Sequence, residues 1–130
     1  MLPNKLSDLI TVALADLTQI EAMPETYTVD MTTYHRPENG VCHVCLAGAV
    51  IARTLDRAPT EHVWTSKTGY QDHLQALNAA RQGYVYPALR QLGQPTKFPS
   101  YVPITPYATN PADFRADMIA LAANLATEGL

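Results

Sequence analysis

Residues Gly40 to Ala52 read GVCHVCLAGAVIA, and the fold turns on whether this stretch is one helix or something else. Apolar residues occupy almost every position from Val41 to Leu55, so periodicity alone assigns no single buried face. Taken as a helix over 41–55, it is apolar on nearly every side and belongs at the centre of a core. Gly48 inside it costs about 1 kcal/mol of helix propensity relative to Ala. The compensation expected is a neighbouring helix crossing close to a position without a side chain.

Outward from this segment, Leu6, Ile10, Ala13, Leu17 and Ile20 recur at helical spacing, which predicts a first helix from Lys5 to Glu21, closed by Pro24. YTVDMTT (27–33) alternates like a short strand, and HRPENG (35–40) reads as a loop ending in an Asn39-Gly40 turn. HVWT around 62–65 allows a second short strand. Thr68 and Gln71 have capping-box spacing, so a third helix begins near Gly69 and stops before Gly83. Tyr84 to Leu92 reads as a fourth, shorter helix with Pro87 in its first turn. Gln94 to Tyr107 holds four prolines in fourteen residues, which forbids a helix and favours an extended path. Asn110-Pro111-Ala112-Asp113 is a helix start, opening a last helix whose stripe is Phe114, Met118, Leu121 and Leu125. The expected fold is therefore mainly α: a single domain of about five helices (1–130) around the helix at 41–55, with at most a minor two-stranded β element.

Composition bounds the function. The chain has 130 residues, a formal charge of −3 and 16% charged residues, against about 25% in typical soluble domains. Nine Lys and Arg, scattered singly, make no basic stripe for phosphates, so no nucleic-acid partner is expected. No run approaches eighteen apolar residues and the N-terminus lacks a signal-peptide core, so the expectation is no membrane and a cytoplasmic location. The low charge leaves room for covered surface, and a homo-oligomer is compatible with it.

The one motif with chemical potential is Cys42-x-x-Cys45. On a helix the two sulfurs share a face, and Cys42 sits in the first turn, where a thiol is acidified. A thioredoxin-like site, however, follows a buried strand, whereas TTYHRPENG is polar and turn-like. Zinc is the other chemical reading, with Cys42, Cys45, His35 and His62 as ligands. Against it, the histidines lack an H-x-x-x-H spacing and no H-x-E precedes a P-C-x-x-C. The favoured reading is that both cysteines are small buried hydrophobes, with no cofactor. No catalytic residue is nominated: the serines lie in no nucleophile elbow, no phosphate loop exists, and Glu21/Glu25 and Asp113/Asp117 read as surface charges.

The segment C-x-V-C-L-A-G-A, here Cys42 to Ala49, resembles a helix of small uncharacterised proteins found in bacteriophage genomes. The resemblance extends to the first amphipathic helix and to L-x-A-L-N-A-x-R-x-G, Leu74 to Gly83. It implies a phage-encoded protein in the host cytoplasm, and hence a non-enzymatic module that binds and modulates a host protein. It carries over no catalytic residue. The aromatic residues Tyr84, Tyr86, Phe98, Tyr101 and Tyr107, in and beside the proline-rich stretch, are the expected contact surface, since amphipathic rings suit partner recognition. The competing expectation is that they only cover the helices.

Overall fold

The computed structural model of the chain describes residues 2–64, 71–81 and 103–130. These fall into two compact units, one of residues 12–71 and one of residues 2–11 with 72–130. Helix α1 (Leu6–Glu21) supplies its first turns to the latter and its remainder to the former.

The first unit departs from the helical expectation. Tyr27–Val29 is strand β1, His35–Glu38 is β2 and Val41–Val44 is β3, in the order β1-β3-β2. β3 is central: it runs parallel to β1 with Tyr27 opposite Cys42, and antiparallel to β2 with His35 opposite Val44. The mainly α assignment is thus wrong, and the described residues form a mixed α/β fold of four helices and a three-stranded mixed sheet. The error lies at Asn39-Gly40. Both residues have positive φ, 52° and 81°, the backbone that a two-residue hairpin turn needs to match strand twist. HRPE and VCHV are therefore the arms of a hairpin. The alternation inside VCHV agrees with this: Cys42 and Val44 are buried, while Val41 and His43 are half-buried on the opposite face.

The expected helix at 41–55 is reduced to α2 (Leu46–Ala52), all seven residues of which are buried. It packs on β2 and β3. A buried strand running straight into a buried helix has no polar interruption, which is why the run looked like one helix. The expected second strand also differs. β1 pairs with β3, and Val63 makes only an isolated bridge, to His35 on the outer edge of β2.

Strand order dictates one further feature. Because β1 and β2 flank β3, residues 30–34 must pass from one edge of the sheet to the other across the C-terminal end of β3. There Asp30 N–H donates to the Val44 carbonyl at 2.8 Å. The same crossing lays the Tyr34 backbone on the first turn of α2: a Cβ built on Gly48 would stand 1.7 Å from the Tyr34 oxygen. Close approach at Gly48 is as expected, but the neighbour is a crossing strand connection and not a helix. The second half of α1 buries Ala13, Leu14, Leu17 and Ile20. It is tied to the residues after α2 by Arg53 to Gln19 at 2.7 Å and by the Thr54 hydroxyl, which donates to Asp16. Burial pushes the Asp16 carboxyl above its ordinary value, against the lowering effect of that hydroxyl.

In the second unit α3 (Gln71–Arg81) buries Leu74, Ala76, Leu77 and Ala80. α4 (Pro111–Thr127) begins as predicted, with Asn110 accepting from Asp113 N–H at 3.1 Å and Pro111 in the first turn. Its buried residues are the predicted stripe, Phe114, Met118, Leu121 and Leu125. The start of α1 is fixed by Ser7, whose N–H and hydroxyl both donate to the Leu130 carbonyl, at 3.1 and 3.0 Å. The helix expected at Tyr84–Leu92 lies outside the described residues.

Candidate functional site

Cys42 lies in the middle of the central strand, on its inner face, 1% exposed. Removal from water disfavours the thiolate and pushes its pKa up to about 11, partly offset by a backbone hydrogen bond from Arg36. Such a sulfur is a poor nucleophile at neutral pH. Cys45 directly follows the strand and is the N-cap of α2, where its sulfur accepts the Gly48 N–H at 3.4 Å. Both are free thiols and both are buried. The motif therefore straddles a strand–helix junction, and its second sulfur does a cap's work.

The proposed zinc ligands are distributed as follows. His35 opens β2, wholly buried, with its ring Nδ1 on the Glu61 carbonyl at 2.5 Å. His62 is exposed and its ring lies 4.6 Å from that of Trp64, tilted by 34°. Among the described residues, no three His, Cys, Asp or Glu side chains form a group that could hold a metal ion.

The outer face of the sheet carries a charged network. His43 stands 3.7 Å from Asp30 and 3.7 Å from Glu38, and Arg36 pairs with Glu38 and lies 3.9 Å from Asp30. Donors from the Thr32 side chain and backbone hold the Asp30 carboxyl below its usual range. Partly exposed pairs of this kind contribute about 0–1 kcal/mol each and amount to a solvated face.

The most exposed aromatic among the described residues is Trp64, at 50%. A tryptophan in water forgoes a large burial gain, and such residues are enriched among the energetic anchors of interfaces. Trp64 directly follows Val63, whose N–H donates to the His35 carbonyl at 3.0 Å. The ring is thus presented beside the sheet edge. This site was missed from sequence, although the chain's single Trp, between turn-like segments, was a signal that could have found it. Of the aromatic residues nominated for binding, Tyr84, Tyr86, Phe98 and Tyr101 lie outside the described residues. Tyr107 is half-buried and meets Phe114 edge-on, 5.6 Å between centroids and 84° between planes. It packs against α4.

No described helix is long and apolar enough to cross a membrane. Comparisons with protein-family models, with curated proteins and with solved structures yield no match.

Proposed function

We propose that this chain is a non-enzymatic binding module, of the kind encoded by bacteriophages, that engages and modulates a bacterial host protein in the cytoplasm. The observation that carries the binding role is Trp64, half exposed, in tilted contact with His62 and fixed through Val63 to the edge of the sheet. An aromatic anchor already held in place loses little side-chain freedom on association, so more of its burial appears as affinity. The buried, un-ionised Cys42 and the capping Cys45 support a non-catalytic role for the C-x-x-C motif. The phage origin and the host partner rest on the resemblance of Cys42 to Ala49.

The experiment compares wild type with Trp64→Ala as baits in bacterial lysate, after circular dichroism has shown equal folding. A host protein retained by wild type and reduced at least tenfold on Trp64→Ala, as loss of an anchor worth about 2 kcal/mol requires, is the expected outcome. Identical retention by both baits would remove Trp64 from the contact, and no specific host protein on either would remove the binding role.

A further inference from the structure

His35 joins the Trp64 segment to the sheet, and its enclosed ring has room for only one proton. It is the first residue of β2 and is 0% exposed. On one side it pairs with Val44, and on the other its carbonyl accepts the Val63 N–H at 3.0 Å. Its ring Nδ1 meets the Glu61 carbonyl. A carbonyl can only accept, so Nδ1 carries the proton and Nε2 is left with a lone pair. Nε2 is buried and has no hydrogen-bond partner among the described residues.

A second proton has only that enclosed nitrogen to occupy. There it would create a buried cation whose new N–H faces no acceptor. The surroundings offer little relief. Leu46–Ala52 of α2, packed on β2, has no titratable side chain. From β3 the ring faces Val44, with the neutral thiol of Cys42 further along the same face. Beyond β3, β1 offers the phenol of Tyr27, also un-ionised at neutral pH. The groups that act on the ring from the segment it holds are Glu61, which favours a second proton, and His62, which opposes it when charged. Burial outweighs Glu61 and keeps the ring below its ordinary value.

We propose that His35 is a proton-operated latch: neutral, it fastens Glu61–Trp64 to the edge of β2, and on protonation it releases that segment with Trp64. The released ring titrates near its ordinary value of about 6.5. The open state therefore binds one more proton than the closed state, and each unit of pH below about 6.5 raises the open population up to tenfold. Above that pH proton uptake by His35 no longer favours opening. The inference stands whether or not Trp64 contacts a partner.

Because Trp64 is the single tryptophan, its fluorescence anisotropy reports the end of the latch. The His62 ring lies 4.6 Å from the indole, so its own effect on the fluorescence is removed by running the titration on His62→Gln from pH 8 to 4.5. The expected result is a fall in anisotropy below about pH 6.5 with far-ultraviolet circular dichroism unchanged. Adding His35→Asn, whose amide can still donate to Glu61 but cannot titrate, should abolish the transition. Should that double variant not fold, the His35 ring proton resonance in His62→Gln must titrate with the anisotropy midpoint. A flat anisotropy profile, a transition that persists in the double variant, or a ring titration at a different midpoint overturns the latch. So does loss of circular dichroism in step with the anisotropy, since that is global unfolding.

Discussion

Replacing Gly48 by alanine tests the way the sheet and α2 are fitted together. The added Cβ would lie 1.7 Å from the Tyr34 oxygen, 2.8 Å from the Tyr34 carbonyl carbon and 2.9 Å from the Val44 Cβ. Real Cβ atoms essentially never come within 3.0 Å of such neighbours, so the Tyr34 backbone or α2 must move by about 1.3 Å. Neither yields easily: Tyr34 is joined to His35, which is paired on both sides, and α2 is buried along its whole length. Overpacking of a core costs about 1–3 kcal/mol, with displaced backbone at the upper end. Alanine returns about 1 kcal/mol of helix propensity. At that upper end the net expectation is a loss of about 2 kcal/mol. With a urea dependence of about 1.5 kcal/mol per molar, the unfolding midpoint falls by roughly 1.3 M. Equilibrium urea denaturation followed by circular dichroism measures it. A Gly48→Ala protein as stable as wild type, or more so, would refute the close crossing of residues 30–34 over α2.

The two cysteines separate cleanly. Cys45→Ala should cost about 1 kcal/mol through loss of the cap, whereas Cys45→Ser should cost less, because serine is a preferred N-cap and the Gly48 N–H is there to meet its hydroxyl; urea midpoints rank the pair. From sequence alone serine is expected to be the worse substitution, since no partner for a buried hydroxyl is in view. At pH 8, Cys42, with its pKa raised from 9.0 to about 11, should be alkylated at least about a hundredfold more slowly in the native than in the unfolded chain. The unfolded thiol ionises first, so the contribution of Cys42 to stability is intact below pH 9 and is lost as pH rises towards 11; comparing Cys42→Ala with wild type across that range checks it. Asn110→Ala, which removes the acceptor for Asp113 N–H, should cost about 1 kcal/mol in thermal or urea unfolding.

The helices that carry a polar face were legible. α1 and α4 show their stripes at spacings of three and four, and α4 announces its start in Asn110-Pro111. The sheet was not legible, because its strands are three or four residues long and too short for alternation to outweigh a longer apolar run. The decisive local signal was Asn39-Gly40, which was recognised as a turn while the stretches flanking it were not paired. The cysteines were correctly read as buried. Their partners were not accessible, because Cys45 acts as a cap only if the helix starts after it, at Leu46. The sequence places His35 in a polar loop and offers it as a zinc ligand, and only the antiparallel pairing with β3 shows why it is enclosed. Trp64 was passed over because exposure is a tertiary property.

The Asn39-Gly40 turn also bears on the order in which the first unit assembles. β2 and β3 are joined by two residues whose positive φ values already favour the return of the chain, so this hairpin can close locally, on a timescale of about microseconds. β1 pairs with the far arm of this hairpin, a contact of longer range, and its connection must wrap the end of β3. That wrap seals Gly48 beneath the Tyr34 backbone. The connection that completes the sheet is thus also the one that clamps the helix.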